Sequence, residues 1–148
     1  MPAPAEDGVA REDGRAATSV LLVEPYAAGS HRAWARGYRA ASRHDVRLLS
    51  LPGRFWKWRM HGAAVTLARR LRRSGCEPDV VLATDMLDVA CFLGLARDVL
   101  AGVPVALYCH ENQLAYPAAT EQADWTASRR RRAARKDVHY AFANFTSA

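Results

Sequence analysis

Long apolar runs are missing from this sequence. No stretch approaches the ~18 uninterrupted apolar residues of a membrane span, so no membrane partner is expected. Residues 1–18 are Ala, Pro and Gly interspersed with Glu6, Asp7, Glu12 and Asp13. They lack the apolar stretch of a secretory signal and are expected to form a disordered tail. Cysteine is sparse: Cys76, Cys91 and Cys109 are dispersed without a C-x-x-C spacing. That argues against a disulfide framework and against zinc, and fits a reducing, cytoplasmic setting. There is no internal repeat.

What is present is ordinary globular material. The 148 residues suit one core, and half of them are hydrophobic. The formal charge of +6 favours an anionic partner such as nucleic acid or a phosphorylated cofactor. Arginines on solvated helix faces explain the same excess equally well.

Short apolar runs alternate with helical patterns. Ser19–Val23, Val46–Leu51, Val80–Ala83 and Val103–Tyr108 read as buried strands. Helices are expected from about His31 to Arg43, from Gly62 to Arg73 and over Asp85–Leu100, with another in the arginine-rich stretch after Asp124. In the first helix Trp34, Tyr38 and Ala41 share a face; in the second, Val65, Ala68 and Leu71 point inward. Strand–helix alternation with short connections means βαβ units, hence an α/β fold with a parallel sheet. Such sheets take ligands at the carboxyl ends of their strands, which singles out four loops: Glu24–His31, Pro52–Gly62, Thr84–Asp88 and Cys109–Pro117.

The last loop carries the most chemistry. His110, Glu111, Asn112 and Gln113 supply an imidazole, a carboxylate and two amides in succession, a set suited to a polyhydroxylated ligand. His110 can serve as acid or base near neutral pH. Alternatively Glu111 and Asn112 cap a turn and His110 is a satisfied buried residue. In the first loop Gly29 and Ser30 open a helix, where backbone N–H groups can hold phosphate. With one glycine this is not the G-x-G-x-x-G fingerprint, and a turn capped by Ser30 fits as well. The segment Arg54–Gly62 interleaves Phe55, Trp56 and Trp58 with Arg54, Lys57 and Arg59. Read as a loop, it stacks RNA bases and neutralises phosphates, or it packs its aromatics on the sheet edge. Asp85 and Asp88 either bind a ligand hydroxyl or cap the following helix, and capping is the expectation.

Taken together, EPYAAGSH (Glu24–His31), LPGRFWKWRMHGAA (Leu51–Ala64), CHENQLAYP (Cys109–Pro117) and DVHYAFANFTSA (Asp137–Ala148) resemble the N-terminal domain of tRNA-queuosine α-mannosyltransferases. The likeness is collinear over residues 19–148. It implies a Rossmann-like parallel sheet with flanking helices, the acceptor-side half of a retaining GT-B enzyme that moves mannose from GDP-mannose to queuosine in tRNA.

By that resemblance Gly29, Ser30 and His31 lie near the donor phosphates. His110, the catalytic candidate, positions the transferred sugar, and Glu111, Asn112 and Gln113 bind sugar or acceptor. Arg54, Trp56, Lys57, Trp58 and Arg59 are candidate RNA contacts. No metal and no resident cofactor are implied; tRNA and a nucleotide sugar are the expected partners. Two departures stand out. The family's usual Gly-Gly-Ser-His turn has Ala28 for its first glycine, and the sequence stops before the expected donor-binding domain. The resemblance thus implies a truncated half that is inactive on its own. A non-catalytic RNA-binding module and a glycosyltransferase half with another acceptor are the alternative readings.

Overall fold

A computed structural model of the chain describes residues 17–110. Its elements run β1 (Ser19–Ala27), α1 (Gly29–Ala41), β2 (Asp45–Pro52), α2 (Trp56–Ser74), β3 (Val80–Thr84), α3 (Val89–Leu95), α4 (Arg97–Leu100) and β4 (Val105–Tyr108). The strands form one parallel sheet in the order β2-β1-β3-β4, as the strand–helix alternation predicts. The expected tail over residues 1–18 falls, except for its last two residues, outside the described residues, as does the expected arginine-rich helix after Asp124.

Period two along each strand divides the side chains between two layers. Leu21, Val23, Val81 and Ala83 face the larger cluster, where α2 contributes Ala64, Leu67, Ala68 and Leu71 and α3 contributes Val89 and Phe92. Phe92 and Leu67 are completely buried, and truncating either to Ala costs about 2–5 kcal/mol. On the opposite face Val20, Leu22 and Val46 meet Ala35 of α1, with Trp34 and Tyr38 half-buried beside them. α1 places His31, Trp34, Ala35 and Tyr38 inward at spacings of three and four, one stripe of a 3.6-residue helix.

β4 is a mostly exposed edge strand rather than a buried one, and the chain departs from the sequence-based elements in four further places. β1 continues through Glu24, Pro25 and Tyr26 to Ala27, beyond the apolar run. Its register against β2 shifts between Glu24 and Ala27, a bulge at a proline that has no N–H for the ladder. Ser30 does not cap α1: the cap is Ala28, which offers no side-chain bond, and Ser30 lies exposed in the first turn.

The segment Arg54–Gly62 is not a loop, because α2 begins at Trp56. Val65 is consequently exposed, while Ala63, Ala64, Leu67 and Ala68 face the sheet. The expected single helix over Asp85–Leu100 starts only at Val89 and is broken at Ala96 into α3 and α4. Residues 85–88 instead form a tight turn in which Leu87 N–H donates to the Thr84 carbonyl.

Candidate functional site

β1 connects outward to β2 and the chain then crosses back to β3, so the carboxyl ends of β1 and β3 flank the point where the strand order reverses. In open parallel sheets this is where a crevice opens for ligands. Side-chain parity dictates what lines it. Glu24 continues the Val20–Leu22 face of β1, while Tyr108, paired with Thr84, lies on the α1 side of β4. All are directed toward the inner stripe of α1, which carries His31 and Trp34.

Two histidine–carboxylate pairs result. Glu24 is fully buried; its Oε2 lies 3.2 Å from His31 Nδ1, and its Oε1 accepts from the Tyr26 N–H at 2.7 Å. Asp85 is almost fully buried, and its Oδ1 lies 3.2 Å from His110 Nδ1. The two imidazoles stack on each other, centroids 3.9 Å apart and 27° from parallel. Tyr26 meets His31 edge-on, and Trp34 and Tyr108 both meet His110 edge-on. Trp34 stacks on Tyr108 at 3.9 Å. His110 Nε2 is buried and has no hydrogen-bond partner among the described residues.

Glu24, His31 and His110 also offer three ligand atoms within 4.8 Å of one another. A shared ion needs lone pairs that converge on one point roughly 2 Å from each nitrogen. In stacked rings the in-plane lone pairs run side by side, and both Nδ1 atoms already face carboxylates. The arrangement fits two hydrogen-bonded pairs better than one metal centre.

The model of the tRNA-queuosine alpha-mannosyltransferase N-terminal family matches residues 19–148. The chain belongs to this family. A tRNA-queuosine alpha-mannosyltransferase of Drosophila melanogaster is 34% identical over 99 residues, which cover 66% of this chain and 26% of that protein. The chain thus matches about a quarter of the length of this curated relative. No solved structure matches it.

Within this family domain, the structure brings together His31 and His110, two residues that the sequence places in separate loops. Gly29 and Ser30 are exposed at the start of α1, with Gly29 in the left-handed region at φ 48°. Glu111, Asn112 and Gln113 lie outside the described residues.

Arg54, Phe55, Trp56, Lys57 and Trp58 form an exposed patch at the start of α2; Phe55 and Trp58 each retain more than three-quarters of their surface. Phe55 and Trp58 therefore do not pack on the sheet edge, while Trp56 is the more buried of the three rings. Lys57 Nζ sits 5.3 Å from the Trp56 ring, and Arg59 Nε donates to the Pro52 carbonyl at 3.3 Å.

Sequence reasoning missed Glu24 as a site residue and assigned Asp85 to a helix cap. Asp88 performs the capping, accepting from the Cys91 N–H at 2.9 Å, which leaves the Asp85 carboxylate for His110. The available signal was parity: Glu24 stands two residues beyond Leu22 on a strand face covered by a helix that carries His31.

Proposed function

We propose that this chain supplies the acceptor-side wall of a GT-B mannosyltransferase acting on queuosine in tRNA, with GDP-mannose as donor. The observation that carries the reading is the pair of imidazoles at the strand-order reversal, His31 and His110, each held by a buried carboxylate, within a domain of this family. Hydroxyl-rich ligands need several directed polar partners, and His110 with Glu111, Asn112 and Gln113 provides them.

Gly29, Ser30 and His31 are assigned to the donor phosphates. In support, the first turn of α1 has no acidic residue and no side-chain cap, so its dipole and N–H groups favour an anion. Arg54, Trp56, Lys57, Trp58 and Arg59 are assigned to the tRNA, supported by exposed rings interleaved with cations.

In this reading His110 orients the sugar and no resident metal takes part. Transfer needs residues beyond the stretch matched in the relative, because one wall cannot exclude water from a nucleotide sugar. The test is incubation with radiolabelled GDP-mannose and queuosine-containing tRNA, using this chain and a full-length family member side by side. Label is expected in tRNA with the full-length protein, unchanged by EDTA, and not with this chain alone. A full-length protein that labels no tRNA defeats the proposal, and labelling by this chain alone defeats its expected inactivity.

A further inference from the structure

We propose that Asp85 is a positioning residue that keeps the His110 proton on Nδ1, so that Nε2 is offered as a hydrogen-bond acceptor to a ligand hydroxyl at the strand-order reversal. An ionised carboxylate only accepts hydrogen bonds. With Asp85 Oδ1 3.2 Å from Nδ1, the proton of a neutral imidazole belongs on that nitrogen, and the other ring nitrogen becomes an acceptor. Nε2 is buried and lacks a partner among the described residues, and leaving such an atom unsatisfied is costly.

The ring has little freedom to turn away. It is stacked on His31, which is itself tied to Glu24, and it is bounded edge-on by Trp34 and Tyr108. Its side chain is about nine-tenths buried and that of Asp85 almost completely so. Asp85 can reach it because Asp85 follows β3 directly, its N–H donating to the Tyr108 carbonyl at the end of β4 at 3.1 Å. The backbone bond between the two strand ends sets the side-chain bond beyond it.

This tautomer selects by chemistry. An acceptor nitrogen suits the O–H of a sugar and rejects the ionised oxygens of a nucleotide sugar's diphosphate, which have no proton to donate. Nε2 is therefore a hydroxyl site, distinct in kind from the donor-phosphate region at Gly29 and Ser30. The ligand class rests on the sugar-handling role proposed above; the tautomer does not.

The experiment is long-range proton–nitrogen correlation on the chain labelled with nitrogen-15 histidine, followed upward in pH until the neutral rings are read. His110 is expected to show a pyrrole-type Nδ1 and a pyridine-type Nε2, and Asp85→Asn to shift the population toward the Nε2–H form. A predominantly Nε2–H ring in the wild type, which requires no variant to fold, overturns the proposal; so does an Asp85→Asn ring with an unchanged tautomer. Methyl α-mannoside or GDP-mannose is then expected to move the Nε2 resonance where sulfate, a dianion with no proton to donate, does not. A response to sulfate alone, or to none of the three, overturns the hydroxyl assignment. Because the tautomer is read without any transfer reaction, failure of the sugar reading and failure of Asp85's role give different results.

Discussion

The imidazoles of His31 and His110 lie face to face at 3.9 Å, one from the first turn of α1 and the other from just beyond β4. Each presents Nδ1 to a buried carboxylate, Glu24 for His31 and Asp85 for His110. At the sheet's reversal point each imidazole is thus paired through Nδ1, with aromatic rings packed around the two. Removing a single member therefore strands its partner in a buried place.

That logic sets the first prediction. Glu24→Ala removes the partner of His31 Nδ1 and the acceptor of the Tyr26 N–H together, and is expected to cost about 3 kcal/mol. Glu24→Gln keeps an amide oxygen for Tyr26 and should cost only about 1 kcal/mol. Urea midpoints at constant m-value check the order; equal losses for the two variants would show that the amide oxygen does not replace the carboxylate as acceptor for Tyr26.

Gly53 carries the second. A Cβ built there meets Ala28 Cβ and lies 2.8 Å from the Ala28 nitrogen and 2.9 Å from its Cα. The turn after β2 and the turn after β1 touch through this missing side chain. Gly53→Ala should destabilise by about 1–3 kcal/mol, and Ala28→Gly should restore only part of that loss, because the backbone contacts remain. Thermal unfolding of the two single variants and the double variant measures it. Full rescue in the double variant would show that only the Ala28 methyl matters.

Cys109 gives a prediction in pH. Partial burial, and secondarily the nearby Asp85 carboxylate, pushes its thiol above the ordinary range. Both causes disfavour the thiolate, which is the reactive species. Although exposed, Cys109 should be alkylated by iodoacetamide more slowly at pH 8 than a cysteine in an unstructured peptide. The rate should rise only as the pH climbs through the elevated value, and Asp85→Asn should bring that rise to lower pH. Peptide-resolved mass spectrometry reads the rates, and a Cys109 that reacts at the peptide's rate contradicts the prediction.

The α2 patch separates binding from folding. Trp58 is three-quarters exposed, so Trp58→Ala should leave stability within about 0.5 kcal/mol. If tRNA stacks on it, affinity should fall by about 1–3 kcal/mol. Lys57→Ala should weaken binding and flatten its salt dependence, whereas Trp58→Ala should leave the salt slope unchanged. Filter binding across a salt series distinguishes the two effects, and unaltered affinity in both variants removes tRNA from this surface.

Much of the architecture was legible locally. Four apolar runs bounded by Pro, Gly and charge marked the strands, and each lies within or overlaps one of the four observed strands of the parallel sheet. Boundaries were harder where chemistry gave no stop signal. Nothing in Phe55-Trp56-Lys57 announces a helix start: Phe55 adopts φ 53° in the left-handed region and offers no side-chain cap. That conformation costs a bulky residue roughly 1–3 kcal/mol and is unusual enough that a loop was the natural expectation.

The sequence by itself determined the sheet, its strands, and His110 as a polar residue at a strand's carboxyl end, because hydrophobic periodicity and strand–helix alternation are local properties. Family membership was likewise written in short motifs. Only the tertiary structure decided what His110 works with. Strand order put β1 between β2 and β3, α1 crossed the face bearing Glu24, and Asp88 took the cap that released Asp85. Those contacts join residues distant in the chain, and a pattern of neighbours along the sequence holds no record of which distant groups a fold will place side by side.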